Sequence, residues 1–145
     1  MSAPRRRAGD DAVRAFLRER GAAEHVVAGG IEGLVAAWER TASAVAVGYE
    51  DDLDEYRNDL DARRWIDETL AELPNAASAE LLTRIEAADE LFRAHVELGP
   101  RCVWGVAIAR RERWSRKRQW WYFARPLRCG EELASALAPR RGGTA

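Results

Sequence analysis

The stretch IEGLVAAWERTASAVAVGYEDDLDEYRNDLDARRWIDETLAEL, residues 31–73, decides how the chain is read. Apolar or aromatic side chains fall at Ile31, Leu34, Val35, Trp38, Ala42, Val45, Tyr49, Leu53, Tyr56 and Leu60, in steps of mostly three or four. That spacing keeps one face of an α-helix apolar, because residues three and four apart stack on the same side. Glu39, Glu50, Asp51, Asp54, Glu55 and Arg57 take the other face. The stretch therefore reads as one long amphipathic helix, or two nearly end to end, centred on residues 38–60. An unbroken helix of over forty residues would span roughly 60 Å at about 1.5 Å per residue, wider than a compact domain with a radius of gyration near ~15 Å. Either the helix breaks or a second subunit covers it. The stripe does not continue in phase through Trp65, Ile66, Leu70 and Leu73, and Asn and Asp favour cap positions, so the bend is expected at 58–61. Gly33 and Gly48 each cost about 1 kcal/mol against Ala in a helix interior. The small residues Ala42, Ser43, Ala44, Ala46 and Gly48 suit a close helix crossing or a second break.

Outward from this stretch, Pro74 ends the run and Ser78 caps a helix over 79–98, with the stripe Leu81, Leu82, Ile85, Ala88, Phe92, His95 and Val96; Gly99-Pro100 stops it. Upstream, Asp10 caps a short helix carrying Val13, Phe16 and Leu17, Gly21 stops it, and residues 1–9 read as a disordered tail. A further turn or two precedes the Gly29-Gly30 break. Downstream, residues 103–113 read as a short helix followed by an irregular aromatic segment; the alternative is two strands at 102–109 and 119–123 with 110–118 as a basic hairpin loop. A last short helix covers 130–137, and 139–145 is a second disordered tail. The expected fold is all-α: one helical domain over 10–138, an irregular bundle of four or five helices around a long central one, with a short extended or hairpin element near 119–125.

A chain of 145 residues can bury one core. Of its 23 basic residues only Lys117 is a lysine, a usage that fits a GC-rich bacterial genome. Cys102 and Cys129 stand apart, with no CxxC or Cys/His cluster, as reduced thiols of a cytoplasmic protein would. No apolar run follows the N-terminal arginines and none approaches about eighteen residues, so neither a signal peptide nor a membrane span is expected. The net charge of −1 conceals a segregation: residues 31–100 hold 17 acidic and 6 basic residues, whereas 101–128 hold 9 basic residues against Glu112 alone. The two regions either neutralise each other in the fold or present two charged surfaces.

Four constellations carry possible chemistry. The first is Arg110, Arg111, Arg113, Trp114, Arg116, Lys117, Arg118, Trp120, Trp121, Tyr122, Phe123 and Arg125. Arginines clamp phosphates and exposed rings stack on unpaired bases; the plainer reading puts the rings in the core and pairs the arginines with the acidic helices. The second is Asp51, Asp52 and Glu55 with Glu86 and Asp89, where Asp52-x-x-Glu55 and Glu86-x-x-Asp89 have the spacing of helical metal-dependent nucleotide hydrolases and would hold Mg²⁺. A solvated acidic face is the plainer account. The third is Arg20-x4-His25, a spacing found in a class of helical ribonucleases, here interrupted by Gly21; His95 lacks any ligand pattern. The fourth is six tryptophans, of which Trp65 and Trp114 sit beside arginines as interface hot spots do. With no phosphate loop or nucleophile motif, the first reading is a non-enzymatic protein-interaction or regulatory module of the bacterial cytoplasm. Its partner would be another protein or a second copy, with no membrane and no cofactor. Nucleic-acid binding through 110–125 is the alternative, and a Mg²⁺-dependent nucleotide hydrolase the third.

Overall fold

The computed structural model describes residues 3–138, with side chains from Gly9 onward. Six helices run in the order α1 (Ala3–Glu19), α2 (Glu24–Val47), α3 (Leu53–Glu72), α4 (Ala79–Arg93), α5 (Val106–Glu112) and α6 (Glu131–Leu137). Two three-residue strands, β1 (Val96–Leu98) and β2 (Ala124–Pro126), pair antiparallel, with Glu97 opposite Arg125. The molecule is an all-α bundle with a minor hairpin-like pair, as the periodicity requires. α2 is its centre: α1, α3 and α4 pack around it.

The long stretch breaks at Gly48, not at 58–61. Gly48 holds φ 135 and ψ 110, a conformation that side-chain-bearing residues rarely adopt. Asp52 then starts α3, its carboxylate accepting the Glu55 N–H at 2.9 Å. Between them Tyr49 leaves the helix to bridge the C-terminal segment, its N–H donating to Arg128 O at 2.9 Å and its carbonyl accepting from Gly130 N–H at 3.0 Å. The expected caps at 58–61 lie mid-helix instead. Asp59 accepts the Tyr49 hydroxyl at 2.6 Å, and Asp61 accepts that of Tyr122, so tertiary partners occupy the carboxylates that would otherwise have capped a helix.

Other boundaries shift for local reasons. α1 begins at Ala3, upstream of Asp10, so it takes in most of the stretch read as a tail; Pro4 falls in its first turn, where a missing N–H is harmless. The Gly29-Gly30 break is a kink inside α2, with Gly30 at φ 61 and ψ −159. α4 is capped by Ser78 as expected, the hydroxyl accepting Leu81 N–H at 3.1 Å, but it ends at Arg93 and residues 96–98 pair as β1. Residues 103–113 do contain a short helix, α5, and no strand forms at 102–109. The aromatic run 120–123 is a 3₁₀ turn leading into β2. The tail expected at 139–145 lies outside the described residues.

Three helices are tied by one largely buried ion pair. Asp89 on α4 accepts Trp38 Nε1–H from α2 at 2.8 Å, and both Arg63 Nε–H (2.9 Å) and Nη2–H (3.0 Å) from α3. Trp38 is fully buried, and the side chains of Arg63 and Asp89 are 13% and 18% exposed. The Arg63 guanidinium also lies 5.0 Å from the Trp121 ring centre, and Arg93 4.0 Å from that of Trp120, cation–π contacts that seat the aromatic turn on the bundle.

Removing one partner of a buried pair leaves the other charge uncompensated. Asp89→Ala is therefore expected to lower unfolding free energy by about 2–3 kcal/mol, and Gly48→Ala by about 1–3 kcal/mol through forced backbone strain. Urea titrations followed by far-UV circular dichroism check both.

Candidate interaction surface

The basic stretch separates into a buried half and an exposed half. Trp120 is 7% exposed and Trp121 1%, with Tyr122 and Phe123 also buried. The rings of these two tryptophans, offered as contacts for a partner or a base, face Trp38, Phe92 and Arg63. Trp114 is half-buried, stacked on the Tyr122 ring at 4.3 Å. In contrast Arg110, Arg111, Arg113, Arg116, Lys117 and Arg118 are all exposed.

The ridge they form has a defined shape. α5 ends at Arg113 in a left-handed conformation, φ 57, with Trp114 N–H closing on Ala109 O at 2.9 Å. The turn that follows is stitched by Ser115 N–H to Gln119 Oε1 (2.9 Å), Arg118 N–H to Ser115 Oγ (3.2 Å) and Gln119 N–H to Ser115 O (2.8 Å). Tyr122 is the peg for both ends of α5. Its carbonyl accepts Val103 N–H at 2.8 Å before the helix, and its ring carries Trp114 after it. Burial and the Asp61 charge push the Tyr122 phenol far up, so it stays a donor to Asp61. α5 itself contains no buried residue, alone among the six helices.

The two charged regions do not neutralise each other. The acidic region pairs internally: Arg57 with Asp54, Arg63 with Asp89, Arg64 with Glu68, and Arg84 with Glu39 and Glu32. Among the described residues, Arg125–Glu97 at 3.0 Å is the one ion pair that joins the basic stretch to the acidic region, and Arg111–Glu112 is local. The plainer reading thus holds for the rings and fails for the arginines.

Two of the five carboxylates offered as Mg²⁺ ligands have other duties and three lie in solvent. Asp52 caps α3, Asp89 is held by Trp38 and Arg63, and Asp51, Glu55 and Glu86 are exposed. The nearby Asp59 charge raises the Glu55 pKa, and burial raises that of Asp59 itself. Among the described residues no three His, Cys, Asp or Glu side chains are placed to share a metal ion. Arg20 and His25 do not share a helix turn either: Gly21 (φ 79) ends α1 between them, and Arg20 lies over Phe16 and pairs with Glu68 at 3.7 Å. His95 is half-buried beyond α4, its Nδ1 2.9 Å from Leu91 O. Trp65 lies under Arg64 at 4.7 Å.

Sequence reasoning missed a groove beside α5. Its first part, about 630 Å³, involves Leu53, Arg57, Leu98, Arg101, Arg125 and Leu137. Arg57 crosses to it from α3, Nε–H donating to Val103 O at 2.7 Å. The only signal in the chain was the punctuation by Gly99-Pro100 and Gly105, which gives no hint that α3 and α6 would supply the opposite wall. Cys102 is buried at this groove and Cys129 half-buried; burial pushes both thiols up, and neither is bonded.

No helix among the described residues is long and apolar enough to cross a membrane. Comparison of the chain with protein-family models, with curated proteins and with solved structures gives no match.

The buried carboxylate beneath the ridge gives a pH dependence. Burial raises the Asp61 pKa above its ordinary 3.8, so between that value and its folded value the native chain binds more protons than the unfolded one. Its stability contribution is full below 3.8 and is lost as pH rises through the folded pKa. Asp61→Asn keeps an acceptor for Tyr122 without the charge. Its stability relative to the parent chain is expected to improve as urea titrations move upward in pH from 3.8 and to level off once pH passes the folded pKa.

Proposed function

We propose that this chain is a non-enzymatic protein-interaction or regulatory module that captures an acidic segment of a partner protein on the ridge of Arg110, Arg111, Arg113, Arg116, Lys117 and Arg118. The observation that carries the reading is the split within the basic stretch: the rings anchor it while the cations stay in solvent, free of the acidic helices. A cationic surface raises the encounter rate with an acidic partner and sets its orientation. Two unbonded thiols, Cys102 and Cys129, fit the reducing cytoplasm in which we place it, and the arginine usage fits a bacterial source.

Nucleic-acid binding is the second reading, supported by the same cations, which suit phosphates. The burial of Trp120 and Trp121 withdraws the rings that an unpaired-base site would use, so this reading is reduced to backbone contacts. A Mg²⁺-dependent hydrolase has less support, since Asp89 is already neutralised by Arg63.

Fluorescence anisotropy with a labelled Glu-rich peptide and with a single-stranded oligonucleotide separates the readings. The peptide is expected to bind, and reversing Arg116, Lys117 and Arg118 to Glu is expected to weaken it about tenfold or more with circular dichroism unchanged. Oligonucleotide affinity is expected to be weaker and indifferent to base identity. Tighter oligonucleotide binding with quenched tryptophan emission would overturn the order.

A further inference from the structure

Two clefts flank α5. The 630 Å³ part and a second part of about 340 Å³, bounded by Ala109, Arg110, Arg113 and Trp114, share Pro100, Cys102, Val106 and Phe123. The two parts lie on either side of these shared residues at the start of α5, where Val106 stands 62% exposed. An aliphatic side chain left in water at the junction of two clefts is what an apolar anchor from a partner would cover.

Charge selects the occupant. Along the groove, Arg57 and Arg125 are paired with Asp54 and Glu97, whereas Arg101, Arg110 and Arg113 have no ion-pair partner among the described residues. A cationic occupant is disfavoured, and the chain beyond Leu137 carries Arg140 and Arg141. The chain's own acidic stretch, 50–55, has the right sign, but its one apolar residue, Leu53, already forms part of the groove wall. A second copy therefore cannot offer that leucine without dismantling its own groove.

We infer that the groove around α5 seats an acidic partner segment that inserts an aliphatic or aromatic side chain beside Val106 and sets its carboxylates on Arg101, Arg110 and Arg113. The inference rests on the ridge reading and adds an apolar anchor to it. Charge brings the segment in, and the anchor gives it register and specificity.

The test uses the full chain and two fluorescein-labelled octapeptides of Glu and Asp, one with two central leucines and one with serines in their place. The leucine peptide is expected to bind about tenfold more tightly than the serine peptide. Val106→Asp, which puts a carboxylate in the first turn of α5 where helices accept one, is expected to erase that preference, weakening the leucine peptide much more than the serine peptide. Arg101→Glu serves as a second variant away from the helix, and circular dichroism confirms that each folds. Reversal of Arg116, Lys117 and Arg118 is expected to weaken both peptides alike.

Equal affinity of the two peptides for the parent chain would overturn the groove and leave the ridge standing; no binding of either would remove the ridge reading as well. A several-fold gain in affinity on deleting residues 139–145 would make the chain's own end the occupant. A concentration-dependent dimer, dissolved by Val106→Asp in sedimentation velocity, would make it a second copy. Either of these last results overturns the inference.

Discussion

Three helices meet at the carboxylate of Asp89. Trp38 reaches it from α2, Arg63 from α3, and α4 supplies it. A buried carboxylate is tolerable only when its lone pairs are filled and its charge is matched, and here two side chains do both. The same guanidinium then faces Trp120 and Trp121, so the C-terminal aromatic turn docks on a surface that exists only once α2, α3 and α4 have assembled. The cationic ridge follows from that docking, with Tyr122 on Asp61, Arg57 on Val103 O and Tyr49 on Arg128 and Gly130 as further ties between the C-terminal segment and the bundle.

The bundle was legible in the chain because burial imposes a period that can be counted. Ile31 through Leu60 follow it across α2 and into α3, and nearly all of those positions are buried. What periodicity cannot register is a reversal between two in-phase stripes. The stripe runs through Tyr49 and Leu53 as though the helix continued, while the backbone turns at Gly48. The decoy at 58–61 has an equally specific origin. Asp59 and Asp61 look like caps, yet their partners are Tyr49 and Tyr122, the second of them 61 positions away. Long-range partners of this kind leave no local trace.

The basic stretch was half legible for a related reason. Interleaved Trp and Arg says that two kinds of surface alternate, without saying which faces inward. Packing decides, and it buries the rings at 120–123 because the bundle has a matching aromatic and cationic patch in Trp38, Phe92, Arg63 and Arg93. The acidic helices, meanwhile, satisfy themselves with arginines of their own, above all Arg63 and Arg84. The ridge cations are left over from that internal accounting of charge. The groove is still less local, since α3, α5, α6 and both strands each contribute part of its wall.

The absence of a buried residue in α5 bears on how such a protein can change. Most helical positions are constrained twice, once by the fold and once by whatever the surface does. Along Val106–Glu112 the first constraint is nearly lifted: the helix is suspended at its two ends from Tyr122 and contributes almost nothing to the core. Substitutions there can change the surface that α5 presents while leaving the frame intact. A lineage could therefore re-specify this segment by drift and selection far faster than the bundle beneath it, in the way antibody loops diversify on a conserved sandwich.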